Sequence, residues 1–176
     1  MARKSWVLSV VACGAGPAEQ LGTLVKQAIE RGWTVQVIAT PSALAFFDAA
    51  GMEALTGSPV RSVHRKPGMP RSRVPDAIVV APATFNVLNQ WALGVADTYA
   101  LAVLAEQTGM GIPIVVLPAV SGPLASRPQF ARSVKTLRAE GVSILLGTPP
   151  PASGEADFPW HLALDEAAEM TGFGAA

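Results

Sequence analysis

Five short apolar runs alternate along this chain with segments whose apolar residues recur at helical spacing. The runs cover residues 6–12, 33–39, 76–81, 112–117 and 142–145. The run 6–12, in which Ser9 is the one polar residue, is typical of a strand that is buried on both faces of a sheet, and 76–81 is expected to be another buried strand. The alternation predicts an α/β fold, a doubly wound (Rossmann-like) parallel sheet with right-handed crossovers and helices on both faces.

Helical segments are predicted between and after these strands. They cover residues 18–31, 84–93, 97–108, 128–140 and 162–170, and another helix starts at Thr40-Pro41-Ser42. Residues 59–64 could form a short strand. Residues 65–75 contain three prolines, a glycine and four basic residues, so we expect a mobile loop there. A loop is also expected from the fourth strand to Ser126.

The length of 176 residues suits one domain. We therefore expect a single domain over 1–176, with a core of about 5–146. Residues 147–176 then form a proline-rich segment and a C-terminal helix. The prolines of residues 147–160 suit a plain linker.

The charge composition excludes several classes of partner. Thirteen Lys and Arg balance thirteen Asp and Glu, so no strong field attracts nucleic acid or an acidic membrane. The apolar runs are too short to cross a bilayer, and residues 5–12 fit a first strand better than a signal peptide. These features predict a cytoplasmic protein. Charged residues make up only 15% of the chain, which suggests a homo-oligomer with covered apolar surface.

Cys13 is the single cysteine of the chain, so neither an internal disulfide nor a cysteine-based metal cage can form. No metal site is predicted. We expect Cys13 to be a small buried residue.

Three loops at the predicted carboxyl ends of strands carry small and hydroxyl residues. They are Cys13-Gly14-Ala15-Gly16, Thr40-Pro41-Ser42 and Pro82-Ala83-Thr84-Phe85-Asn86. Ligands of doubly wound sheets bind at this edge, and glycines let the backbone approach a phosphate closely. Glu19 stands at the third glycine position of the dinucleotide fingerprint, which argues against NAD. Plain tight turns are the alternative interpretation.

The segment Ala81-Pro82-Ala83-Thr84-Phe85-Asn86-Val87, followed by Gly94-Val95-Ala96-Asp97, resembles the Pro-Ala-Ser-Ala-Asn-Thr and Gly-x-Ala-Asp motifs of the flavin-containing cysteine decarboxylases. That family includes phosphopantothenoylcysteine decarboxylase and the epidermin-type peptidyl-cysteine decarboxylases. The resemblance covers roughly residues 7–146. It also includes the Thr-Pro-Ser turn, a histidine before the motif, and Leu117-Pro118-Ala119 where the family carries Pro-Ala-Met-Asn.

The resemblance implies an FMN site and two catalytic candidates. The loop from Gly14, Ala15 and Gly16 onward, with Thr40, Ser42 and Thr84, would hold the phosphate. The ring would lie near Pro82, Ala83, Thr84, Phe85 and Asn86. Asn86 would hydrogen-bond the flavin or the substrate carboxylate, unless it caps its own helix. His64 resembles the family's base, although a solvated loop histidine is the alternative.

The resemblance also implies a reaction. FMN takes a hydride equivalent from the carbon that bears sulfur, and the resulting thioaldehyde permits loss of the carboxylate as carbon dioxide. The substrate would be a small-molecule or peptide thiol. Some relatives reduce the enethiol product with a cysteine in a C-terminal clamp, and residues 147–160 lie where such a clamp would cover the substrate. This chain has no second cysteine, so release of an enethiol fits better. Homotrimers, or dodecamers built from trimers, are implied as well.

Two departures leave other functions open. Val120-Ser121-Gly122-Pro123 replaces the Met-Asn that places the substrate, and Phe85 and Val87 replace smaller residues. A non-catalytic or regulatory flavin-binding protein is therefore one alternative. A flavin prenyltransferase-like enzyme is another, although the Pro-Arg-Glu-Thr-Pro-Leu run of those enzymes is absent.

Some aromatic and basic side chains have two interpretations each. Trp6, Trp33 and Trp91 are expected to pack in the core or at subunit contacts rather than to stack on the flavin. Arg71 and Arg73 could meet a substrate carboxylate or lie in solvent.

Overall fold

The computed structural model describes residues 5–68, 71–147 and 158–174. Its strands are β1 (Val7–Ala12), β2 (Thr34–Ala39), β3 (Ala77–Ala83), β4 (Ile114–Pro118) and β5 (Ser143–Ile144). All neighbouring strands pair in parallel, in the order β2-β1-β3-β4-β5. The predicted doubly wound parallel sheet is confirmed.

Seven α-helices surround the described part of the sheet. They are α1 (Leu21–Glu30), α2 (Ala49–Thr56), α3 (Phe85–Ala92), α4 (Tyr99–Gly109), α5 (Gly122–Ala125), α6 (Pro128–Ala139) and α7 (Trp160–Thr171). Short 3₁₀ helices at Gly16–Gln20 and Pro41–Ala45 follow β1 and β2. None of the helices that the structure describes is long and apolar enough to cross a membrane.

The sheet is buried on both faces, as its continuous apolar strands predict. Along β1, Leu8, Val10 and Ala12 face a core formed with α1, α2 and α7, whereas Val11 faces a second core formed with α3, α4 and α6. Side chains of a strand alternate between the two faces, so every β1 position must avoid solvent. Burial of this kind is the main stabilising contribution to such a fold.

Two sequence predictions about connections are wrong. Residues 59–64 form no strand; an isolated parallel bridge joins Arg61 to Ile38. The segment after β4 is not a plain loop, because Gly122–Ala125 forms α5 with Pro123 in its first turn. Proline suits the first turn of a helix since its missing N–H has no partner there. The predicted clamp or linker over 147–160 lies largely outside the described residues.

The tryptophans pack as expected. Trp33 and Trp91 are buried, and the half-buried Trp6 ring meets Trp33 edge-on with centroids 6.1 Å apart. Phe173, which follows α7, stacks on Trp33 at 4.0 Å. This aromatic cluster joins the beginning of β2 to the end of the C-terminal helix.

Candidate functional site

The loops that follow β1, β2, β3 and β4 enclose a cavity of about 630 Å³. Seven of the predicted site residues line it: Gly14, Ala15, Thr40, Ser42, Thr84, Phe85 and Asn86. Four parallel strands end at the same edge, so loops that are distant in sequence meet there. The volume lies within the range of cofactor and small-molecule sites.

Gly16, Pro82 and Ala83 do not line this cavity. Pro82 and Ala83 lie beneath it in β3, where the Pro82 carbonyl accepts from the Cys13 amide at 3.1 Å and the Ala83 carbonyl accepts from the Ala119 amide at 2.8 Å. These two bonds fix the loops after β1 and β4 against the end of β3. Pro82 and Ala83 therefore position the cavity wall.

The first two loops touch at Gly14. A β-carbon placed on Gly14 would lie 2.7 Å from Ser42 Oγ and 3.1 Å from the Ser42 carbonyl carbon. The Thr40 amide donates to Ala12 at 2.9 Å, which holds the second loop beside the end of β1. Glycine is required at position 14 because any side chain would push these loops apart.

Hydroxyl and amide donors surround this contact. Thr40 Oγ1 lies 3.2 Å from Ser42 Oγ. Within the described ranges, the backbone N–H groups of Gly14 and Gly16 donate to no group of the protein. Unpaired N–H groups beside hydroxyls are the donors that bind phosphate oxygens.

Helix α3 begins at the cavity, and Thr84 is its N-cap. The Thr84 hydroxyl accepts from the Val87 amide at 3.3 Å. The alternative in which Asn86 caps its own helix is therefore wrong. Asn86 is exposed in the first turn, and its Nδ2 donates to Gln90 Oε1 at 3.2 Å. Its amide is thus available at the cavity wall.

Cys13 lies under the site and is fully buried, as predicted. Burial raises the pKa of its thiol to about 11, and hydrogen bonding with the Thr84 backbone and hydroxyl only partly opposes this rise. Desolvation disfavours the thiolate, which is the reactive form of cysteine. Cys13 therefore remains a neutral thiol near pH 7 and supplies no nucleophile.

This burial predicts an alkaline loss of stability. The unfolded thiol ionises near pH 9 and the folded thiol near pH 11, so the folded state loses about 2–3 kcal/mol as pH rises through that window. Urea unfolding at pH 8 and pH 10.5 measures the loss. The free energy of unfolding of Cys13→Ala should not show this loss between pH 8 and pH 10.5. An equal loss in both proteins would contradict a buried neutral thiol as its cause.

The other lining residues were not among the predicted binding residues. They are Pro41, Val87, Gln90, Thr98, Leu101, Ala119, Val120, Ser121 and Leu124. Of these, Pro41, Val120 and Ser121 belong to loops that the sequence indicated. Thr98 caps α4 by accepting from the Leu101 amide at 3.3 Å. A threonine directly after the Gly-x-Ala-Asp motif could have been found as a helix cap that starts at the same edge of the sheet.

His64 lies elsewhere. It is exposed and lines a second cavity, where its ring meets Tyr99 edge-on with centroids 5.3 Å apart. Arg71 and Arg73 line the same second cavity. The structure thus brings the predicted phosphate-binding residues together but does not place the predicted base among them.

Comparison with models of known protein families finds a match. A family model described as Flavoprotein matches residues 2–169. The chain belongs to this flavoprotein family. The family that the motif at 81–97 indicates is thereby confirmed. The cavity at the strand ends is the candidate flavin site of this flavoprotein.

Individual relatives agree with this membership. The coenzyme A biosynthesis bifunctional protein CoaBC of Mycolicibacterium smegmatis is 35% identical over 158 residues, which cover 87% of this chain and 36% of that protein. This flavoprotein chain spans about a third of the length of the curated relatives that it matches.

Two solved structures are also similar. The FMN-dependent cysteine decarboxylase SpaF is 26% identical, with a TM-score of 0.69 over 94% of this chain and 98% of that one. A PPC decarboxylase variant in complex with pantothenoylaminoethenethiol is 22% identical, with a TM-score of 0.70 over 81% of this chain and 82% of that one. The similarity to the PPC decarboxylase variant shows that the two chains share a fold.

Proposed function

We propose that this chain binds FMN in the 630 Å³ cavity and uses it to decarboxylate a cysteine-containing substrate oxidatively. The observation that carries the proposal is the meeting of a glycine loop, two hydroxyl-bearing loops and Asn86 at one edge of the sheet in a member of the flavoprotein family. The substrate is a small-molecule or peptide thiol of the pantothenoyl-cysteine or peptidyl-cysteine type.

The donor set fits the phosphate of FMN. The N–H group of Gly14 and the hydroxyls of Thr40 and Ser42, which line the cavity, would bind its oxygens. Among the residues that line this cavity no carboxylate is present to repel a dianion. Gly14 also keeps the gap toward Ser42 free of side-chain atoms.

The rest of the cavity fits an aromatic ring system. Phe85, Val87, Leu101, Val120 and Leu124 form its apolar wall. Apolar walls with a few placed polar groups are typical of sites for planar cofactors. Phe85 is itself held by Phe130, whose ring stacks on it with centroids 6.3 Å apart.

When bound, FMN supplies a two-electron oxidant for the carbon that bears sulfur. The chain's own residues orient the substrate and move its proton. Asn86, with an amide at the wall, hydrogen-bonds the flavin or the substrate carboxylate. Asn86 is exposed in the single chain, and a bound flavin beside the apolar wall would shield that hydrogen bond from water and so strengthen it.

His64 is the base in this proposal. Its support is the ring contact with Tyr99, because Thr98, the preceding residue, lines the flavin cavity. An imidazole can take up the proton that leaves the substrate during oxidation. The substrate has to extend toward Tyr99 for this transfer to occur.

The predicted homotrimer or dodecamer and the cytoplasmic location are part of the proposal. Large apolar side chains near the second cavity support an assembly, since Val63 is 71%, Val74 66% and Met110 56% exposed in the single chain. Apolar clusters of this kind are typical of surfaces that other subunits cover.

The experiment is a turnover assay of the purified protein with FMN and a peptide ending in cysteine, and separately with pantothenoyl-cysteine in its phosphorylated and unphosphorylated forms. Mass spectrometry should show a loss of about 46 mass units, carbon dioxide plus two hydrogens. Asn86→Ala should slow the loss by about 10²-fold or more, in line with removal of one placed hydrogen-bonding group.

His64→Asn should lower kcat, whereas His161→Asn, an exposed change on α7, should leave it unchanged. A protein that refuses FMN would overturn the cofactor. A protein that binds FMN but changes no thiol would support the non-catalytic alternative, which the replacement of Met-Asn by Val120 and Ser121 at the cavity favours.

A further inference from the structure

Helix α3 contributes several residues to the wall of the flavin cavity, and two of them carry side-chain amides. Asn86 and Gln90 are four positions apart, so they lie on the same face of the helix and are separated by one turn. Asn86 Nδ2 donates to Gln90 Oε1 at 3.2 Å. The two amides therefore form one polar unit beside the apolar residues of the wall.

Packing does not fix the orientation of the Asn86 amide. Its side chain is exposed, whereas that of Gln90 is half-buried. The terminal torsion of an asparagine side chain is broad and roughly twofold, so an exposed amide has no strong preference of its own. The hydrogen bond with Gln90 selects the orientation in which Nδ2 faces the half-buried side chain.

This hydrogen bond also decides what Asn86 can offer a ligand. A primary amide has two N–H donors and one carbonyl oxygen. Gln90 accepts one of the N–H groups, so the oxygen and the second N–H of Asn86 remain for a molecule in the cavity. Gln90 thus fixes where these two groups lie.

Helix α6 packs on α3 and holds it in place. The Ser133 hydroxyl donates to Asn89 Oδ1 at 2.7 Å, and both residues are buried. Phe130 stacks on Phe85 with ring centroids 6.3 Å apart. Because these contacts fix both turns of α3, the helix cannot shift to supply another partner for the Asn86 amide.

We propose that Gln90 is a positioning residue, which holds the Asn86 amide in its binding orientation before FMN or the substrate arrives. The proposal rests on the proposed function for the role of Asn86 and adds the residue on which that role depends. A side chain that is already ordered loses less conformational entropy when a ligand binds. Gln90 therefore raises ligand affinity through Asn86 rather than through a contact of its own.

The test is a double-mutant cycle of Gln90→Met and Asn86→Ala. Methionine resembles glutamine in length and helix propensity, but its thioether is only a weak acceptor. Fluorescence titration measures the affinity for FMN. Calorimetry measures the affinity of the FMN-loaded protein for a peptide ending in serine, which has the terminal carboxylate but no thiol to oxidise.

With Asn86 present, Gln90→Met should weaken at least one of these affinities by about threefold to tenfold, the cost of ordering one side chain on binding. In the Asn86→Ala background the same change should alter neither affinity by more than about twofold. An equal loss in both backgrounds would mean that Gln90 contacts the ligand directly, and it would overturn the proposal. No loss in either background would overturn it as well.

Gln27→Met is the matched control, because Gln27 is a half-buried glutamine of α1 that does not line the flavin cavity. The Gln27→Met protein should retain both wild-type affinities. A loss as large as that of Gln90→Met would assign the effect to general destabilisation and overturn the proposal.

Protein without FMN gives a readout that does not depend on the proposed function. In a ¹H–¹⁵N spectrum, the side-chain amide signals of Asn86 are identified by their absence from Asn86→Ala. These signals should move in Gln90→Met and stay in place in Gln27→Met, even if FMN is refused or no thiol is decarboxylated. Unmoved signals in Gln90→Met would overturn the proposal and leave the proposed function intact.

Discussion

Gly14→Ala should weaken FMN binding by about tenfold to a hundredfold, the effect of overpacking a tight contact by 1–3 kcal/mol. The new methyl group would lie 2.7 Å from Ser42 Oγ and 3.1 Å from a backbone carbon. Relief requires the loop after β1 to move away from the loop after β2, and both are proposed to hold the phosphate. Flavin fluorescence titration measures the affinity.

Gly22→Ala is the matched control, since it adds the same methyl group in α1 with no atom within 4 Å. Its affinity for FMN should equal that of the wild type. Gly14→Ala should also lower the Tm, because the new methyl group crowds Ser42. Combining it with Ser42→Gly removes the nearest two atoms of the contact and should recover part of that loss in Tm. Equal FMN affinity of the Gly14→Ala and Gly22→Ala proteins would show that the two loops do not bind the cofactor together.

The strands were predictable because their burial is visible in the residues themselves. Helices cover both faces of the sheet at β1 and β3, so every position of 7–12 and 77–83 is apolar or small. Strand β5 was placed equally well, although only Ser143–Ile144 pairs. Boundaries shifted by a residue or two, since pairing rather than hydropathy fixes where a strand ends.

The site was partly predictable for a different reason. Glycine, hydroxyl and amide residues after consecutive strands must meet at one edge of a parallel sheet, so Gly14, Thr40 and Thr84 came together as expected. Leu101 and Leu124 could not be found in this way. They are apolar residues in helices, and only the packing of α4 and α5 shows that they face a cavity.

His64 illustrates what motif resemblance leaves out. A resemblance aligns residues along the chain, whereas the position of His64 depends on how residues 61–68 and 71–75 lie against the sheet. The side chain of Gln36, in the middle of β2, donates from Nε2 to the carbonyl oxygen of Arg73 at 2.7 Å. Nothing in the sequence near residue 36 indicates this contact, so the second cavity became visible only in three dimensions.

Trp160→Ala should lower the free energy of unfolding by about 3–5 kcal/mol, the usual cost of truncating a large buried aromatic side chain. Trp160 is 1% exposed, and Phe158 meets its ring edge-on at 4.6 Å. Both belong to the core on the face of the sheet that α1 and α7 cover. Urea unfolding followed by far-UV circular dichroism measures the change.

Leu162→Ala is the control within the same helix. Leu162 is 37% exposed, so its truncation should cost far less, within about 1 kcal/mol. The folded Trp160→Ala protein should retain the wild-type FMN affinity, because α7 contributes no residue to the flavin cavity. Equal free energies of unfolding for the two variants would contradict this prediction. They would mean that burial of Trp160 stabilises the protein no more than the exposed Leu162 does.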